Sequence, residues 1–152
     1  MLDLRAEPGL RVRLGDGRAL LAGHAARSAD VVVTDAFAGP VVPEHLTTVE
    51  YQHEVRRVLR AGGVHLMNVI DAPPGRLARR QAATLVEAFA EVVLMAPRAV
   101  VAGRRTGNVV LAGADRTLSL ARLRARAGSG HEVLAPAEVA VLAQDATVLR
   151  DR

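Results

Sequence analysis

The sequence predicts a three-layer α/β domain whose sheet is mostly parallel and ends in an antiparallel strand pair. Two runs carry the parallel part. "DVVVTD" (30–35) and "GVHLMNVID" (63–71) are near-continuous apolar stretches between polar ends, the pattern of strands buried on both faces. Residues 44–60 and 76–90 place apolar side chains at helical spacing after each run, as crossover helices do. Three further strand-like runs then follow too closely for crossovers, which makes their neighbours antiparallel.

In chain order, "LRVRL" (10–14) alternates and reads as a short strand, stopped by the turn signal "GDG". "RALLAGHAA" supports a short helix. After the strand at 30–35, Pro43 opens a helix over 44–60 in which Leu46, Val49, His53, Val55, Val58 and Leu59 share a face, and "AGG" ends it. Pro73 and Pro74 break the chain after the strand at 63–71. The next helix, about 76–90, aligns Ala78, Ala82, Leu85, Val86 and Phe89. "EVVLMA", "RAVVAG" and "NVVLAGAD" are the three closing strand candidates, with "GRRTGN" as a hairpin turn between the last two. "TLSLARLRARA" and "PAEVAVLAQD" read as short helices separated by "GSGH".

Composition bounds the function. At 152 residues the chain fits one domain, and a 50% hydrophobic content with 2% aromatics requires an aliphatic core. The absence of Cys excludes disulfides, zinc thiolates and cysteine nucleophiles. Net charge is +4 and every basic side chain is Arg, but the arginines are scattered among sixteen acids rather than striped beside aromatics. That distribution describes a solvated surface, not a nucleic-acid site. The N-terminus lacks the order of a signal peptide and no apolar run reaches membrane-spanning length, so a cytoplasmic protein without membrane or nucleic-acid partners is expected.

Ligands of open α/β sheets bind beyond the carboxyl ends of the strands. Asp16, Asp35 and either Asn68 or Asp71 stand at such ends and are expected on one rim. In "LGDGRALL" (14–21), Gly15 and Gly17 let the backbone turn sharply around Asp16, which is either the cap of the following helix or an acceptor for a ribose hydroxyl or adenine amino group. Asp35 is either a strand-end cap or a site carboxylate. Tyr51, the only tyrosine, either lines a pocket below Asp35 or belongs to the core. The five histidines are dispersed without the spacing of a ligand pair, so no metal is expected.

"RVRLGDGRALL", followed by "DVVVTDAFAGPVVPEHLTTVEYQHEVRRVLRAGGVHLMNVID", resembles the spermidine synthase family, the polyamine aminopropyltransferases and their relatives within the class I S-adenosylmethionine-dependent methyltransferase fold. The ordered elements are GDG, a strand ending in Asp, a Pro-containing loop, "HLTT.E" and a helix leading to "L..GGV...N", over about residues 10–71. The resemblance implies that Asp16 contacts the adenine amino group of a nucleoside cofactor, with Gly15 and Gly17 shaping the turn and Ala19 and Leu20 nearby. It implies that Asp35 helps deprotonate an attacking amine, such as a polyamine. The cofactor would be S-adenosylmethionine, its decarboxylated form, or methylthioadenosine as a bound nucleoside, and the reaction aminopropyl or methyl transfer.

The chain also departs from the family. The N-terminal β-domain, the "GGGDG"-like loop after the first strand and the ribose-binding acid after the second are missing, and "DAFAGP" replaces a "D.SDP" type loop. The chain opens at the family's third strand, so a truncated domain with an incomplete nucleoside site is expected. The sheet edge left by the missing strands would be buried in a homodimer. The alternative is a non-catalytic interaction or structural subunit that keeps the fold without the chemistry.

Overall fold

The structure, a computed structural model, describes residues 9–39 and 41–152. Its sheet has five strands, β1 (Ala29–Thr34), β2 (Leu59–Asp71), β3 (Glu91–Pro97), β4 (Gly107–Ala114) and β5 (His131–Leu134), in the spatial order β1-β2-β4-β3-β5. β1 and β2 pair in parallel, while β4 threads antiparallel between β2 and β3, and β5 pairs antiparallel with β3. β1, β2 and β3 therefore all point the same way. Among the described residues six α-helices accompany them: α1 (Gly17–Ala22), α2 (Val49–Val58), α3 (Arg76–Ala88), α4 (Arg98–Val101), α5 (Leu120–Ala127) and α6 (Pro136–Ala143).

Alternation along β2 divides the two faces of the sheet. His65, Met67 and Val69 are fully buried and look toward α2 and α3, where Val55 and Leu85 are equally buried. Val64, Leu66, Asn68 and Ile70 point the other way and are half-buried. On β1 the same alternation turns Val32 and Thr34 inward and leaves Val31 53% and Val33 62% exposed. The aliphatic core thus sits mainly between the sheet and the layer of α2, α3 and α6. A Cβ on Gly113 would come 2.7 Å from the Phe89 ring, so this glycine lets a core aromatic lie flat against β4.

Several elements differ from the sequence reading. "LRVRL" forms no strand: residues 10–14 lack sheet pairing, with Leu10 48%, Val12 53% and Leu14 98% exposed. Alternation alone cannot hold so short a segment extended when no neighbouring strand takes its hydrogen bonds. The helix expected over 44–60 is a 3-10 turn (Glu44–Leu46) followed by α2, because Thr48 interrupts it as the N-cap, its Oγ1 accepting from the Tyr51 amide. Leu59 and Arg60 already belong to β2.

"RAVVAG" is not a strand but the short helix α4, and "GRRTGN" lies between this helix and β4 rather than between two strands. Pro97 at its N-cap favours a helical start over extension of β3. β5 was hidden in a polar segment too short for periodicity to reveal. The patterns read at 63–71, 76–90, 91–96 and 108–115 otherwise correspond to β2, α3, β3 and β4.

Candidate active site

Asp35 follows the last residue of β1, and Asn68 lies on the neighbouring parallel strand beside it. Asn68 Nδ2 donates to Asp35 Oδ1 at 3.0 Å, which turns the other amide atom, Oδ1, away from the carboxylate. Asn68 Oδ1 is buried and has no hydrogen-bond partner among the described residues. An exposed carboxylate and an unmet amide acceptor therefore meet at the carboxyl end of β1 and β2. Such a pair suits a ligand that brings N–H donors.

Beneath this rim lies a buried polar chain. Thr34 Oγ1 is 2.7 Å from the Tyr51 hydroxyl and 3.0 Å from His65 Nε2. Tyr51 is 5% exposed, and burial raises the pKa of its phenol. His65 is fully buried and burial lowers its pKa to about 3, so the ring is neutral. The tyrosine is a core residue whose polar tip holds the end of β1, one residue before Asp35. Of the two sequence alternatives, the core position is the one it occupies.

Asp16 has a different set of partners. Its Oδ1 accepts the Ala19 amide at 2.9 Å as the N-cap of α1, and its Oδ2 is 2.6 Å from His45 Nε2. The Ala19 amide holds the Asp16 carboxyl below its ordinary range, and His45 adds to the effect. Gly15 precedes this cap, with a Leu20 methyl 3.3 Å from where a Cβ would stand, and Gly17 is the first residue of α1. Ala19 is exposed and Leu20 half-buried. Among the described residues no hydrogen bond joins Asp16 to Asp35.

Asp71, the other rim candidate, is taken up by structure. Its carboxylate accepts the Ala72 and Ala78 amides, each at 2.8 Å, and so caps α3, whose own N-cap is a glycine without a side chain to do it. Of the expected group, Asn68 is the alternative that contacts Asp35, Asp71 caps α3, and Asp16 is engaged separately with Ala19 and His45.

Sequence reasoning missed a third cluster beside Asp16. Arg18 of α1 binds Asp151 in bidentate fashion at 2.8 and 2.6 Å and donates to the His45 carbonyl at 3.1 Å. Thr48 Oγ1 also donates to Asp151 at 2.7 Å, and Arg18 followed by Thr48 lowers the Asp151 pKa to about 2. With 133 residues separating Arg18 from Asp151, no local pattern could have paired them. The C-terminal segment thus forms part of the wall around α1 and His45.

No family model matches the chain. It is 34% identical over 83 residues to the polyamine aminopropyltransferase of Vibrio vulnificus (strain CMCP6), a match covering 53% of this chain and 27% of that protein. Its structure is similar to that of a probable spermidine synthase from Corynebacterium glutamicum ATCC 13032, with a TM-score of 0.88 and 28% identity over 99% of this chain and 57% of that one. It also shares its fold with human methyltransferase-like protein 13 in complex with SAH, with a TM-score of 0.59 and 21% identity over 82% of this chain and 59% of that one. The chain thus spans little more than half of the matched structures and a smaller part of the curated relative. These likenesses give the chain a spermidine synthase-like fold of the class I methyltransferase type.

Proposed function

We propose that the carboxyl-end rim binds an S-adenosylmethionine-related nucleoside and presents an amine acceptor to it for aminopropyl or methyl transfer. The observation that carries this reading is the exposed Asp35 carboxylate, held by Asn68 just past the end of β1, in a chain whose structure matches that of a probable spermidine synthase over 99% of its length. An amino group fits that corner: it can donate an N–H to the exposed Asp35 carboxylate, which Asn68 holds from the side. Asp16 would hold the adenine amino group, with Gly15, Gly17, Ala19 and Leu20 shaping the turn around it. Each Asp16 oxygen has one partner and a further lone pair, so the adenine amine can add to the carboxylate beside Ala19 or His45.

S-Adenosylmethionine or its decarboxylated form would supply an electrophilic carbon beside a sulfonium. The chain's part is to orient and deprotonate the acceptor. An amine attacks only when neutral, and Asp35 can accept its proton while Asn68 fixes the carboxylate from the side. The Tyr51–Thr34–His65 chain keeps the end of β1 in place beneath them. Replacing Asp35 by Asn is expected to slow transfer on the order of a hundred-fold while leaving nucleoside affinity unchanged. Single-turnover transfer to a set of polyamines, with nucleoside titration in parallel, reads both quantities. Unchanged transfer would remove Asp35 from the mechanism.

A second reading is favoured by a separate observation. Among the described strands, β1 pairs with β2 only, and Val31 and Val33 stand exposed beside that open edge. Unpaired edges with apolar side chains recruit another chain. We propose that a second copy covers it, making a homodimer, and the same surface would serve a non-catalytic interaction subunit. Sedimentation velocity at micromolar concentration is expected to show a dimer that Val33→Lys disrupts. Monomer alone would overturn this assignment.

A further inference from the structure

The end of β2 opposite to Asp35 carries a separate feature. While β1 advances from Ala29 to Val31, its partner advances from Leu59 to Val64, so Arg60–Gly63 bulge out of the ladder. Bulges of this kind redirect side chains and gather at functional edges. Gly62 turns the bulge with φ of 78°, and its carbonyl accepts from Arg116 Nε at 2.7 Å. Beside the bulge lies an open groove of about 730 Å³, whose lining includes Arg27, Arg56, Arg57, Arg60, His53 and Asp115.

The arginines divide by what their donors already do. Arg57 is structural: all three of its nitrogens are engaged, with Glu54 and with the carbonyls of Leu21, Ala22 and His24 at the end of α1. Arg56 uses only Nε, toward Asp115 at 2.6 Å, and Arg60 only one terminal nitrogen, toward Asp30 at 2.8 Å. Both guanidinium groups are about half exposed, at 51% and 52%, where such ion pairs are weak and exchangeable. Arg27 has no side-chain hydrogen bond among the described residues. Its backbone is held at φ of 55°, an unusual state for a residue other than glycine, by its own amide and that of Ser28 donating to the Arg57 and Val58 carbonyls.

Four arginines, Arg27, Arg56, Arg57 and Arg60, thus line one groove with Asp115, and Arg27, Arg56 and Arg60 each keep guanidinium nitrogens without a hydrogen bond among the described residues. Guanidinium groups in that state match tetrahedral oxyanions in charge and geometry. We propose that this groove binds a small oligophosphate anion, the phosphate chain of a nucleotide or a free condensed phosphate. Its limited volume and the absence of an exposed aromatic among its lining residues favour a short anion over a nucleic-acid strand. The site stands apart from the rim of Asp35 and Asn68 and does not depend on how that rim is read.

Isothermal titration of the whole chain with inorganic tripolyphosphate, at low and at physiological salt, tests the proposal. Arg27→Ala/Arg60→Ala is expected to weaken binding about ten-fold or more. The control Arg104→Ala/Arg105→Ala, with the same loss of charge in an exposed turn elsewhere, should stay within about two-fold of the parent, as unlocalised charge effects do. Amide NMR shifts at Gly62 and Gly63 should follow the titration. A nucleoside triphosphate binding as tightly as tripolyphosphate supports recognition of the phosphate chain alone, and tighter binding supports a nucleotide. No binding, equal weakening in both variants, or affinity that keeps rising with oligonucleotide length would overturn the assignment.

Discussion

Acidification to about pH 4.5 is expected to remove roughly 2–3 kcal/mol of folding stability through His65 alone. Burial lowers the pKa of this imidazole from 6.5 to about 3, so the unfolded chain takes up its proton at a pH where the folded chain still refuses it. The contribution is complete above pH 6.5 and fades as pH falls toward 3, with a limiting slope of about 1.4 kcal/mol per pH unit. His65 cannot escape by moving outward, because it lies between Val32 of β1 and Gly113 of β4 in the middle of the sheet and packs beside Phe89. His65→Leu removes the titration and leaves Thr34 bonded to Tyr51. Urea unfolding at pH 7 and 4.5 should show a shallower pH dependence for the variant by about that amount. Parallel pH profiles for parent and variant would show that the ring is not buried as described.

The second large effect comes from the C-terminal segment. Removing residues 147–152 is expected to cost roughly 3–4 kcal/mol, about one for each lost buried hydrogen bond and the rest from apolar surface returned to water. Leu149 donates its amide to Thr84 Oγ1 of α3 at 3.0 Å and accepts from the Val49 amide at 2.8 Å, satisfying an N-terminal donor of α2. Val148 packs against the core, and Arg150 pairs with Glu87. The segment therefore ties α2 to α3 before reaching Arg18. A melting temperature within a degree or two of the parent would show that the tail rests on the surface without holding it.

How far the sequence was legible depended on whether a pattern was local. Valine-rich runs announced β1 and β2 as strands, but the expected burial on both faces fails for β1, where Val31 and Val33 stand exposed. The helical spacing from Arg76 onward likewise matches α3. "LRVRL" had a strand's pattern but no partner, and "RAVVAG" had a strand's composition but followed a proline suited to a helix start. At the candidate site, the sequence pointed to Asp16 and Asp35 by their places after glycine and after a strand. It offered Asp16 as the cap of α1, which it is, but could not show its pairing with His45, nor that Asp151 returns from the far end of the chain to Arg18. Those contacts depend on three-dimensional closure, which spacing does not encode.

The measurement that bears most directly on the nucleoside reading is calorimetric titration with methylthioadenosine, S-adenosylmethionine and decarboxylated S-adenosylmethionine. The account predicts micromolar binding of at least one of them, weakened about ten-fold or more by Asp16→Ala because the adenine amine loses its charged acceptor. No heat with any of the three, in a protein verified as folded, would contradict it and leave Asp35 and Asn68 as an inherited strand end.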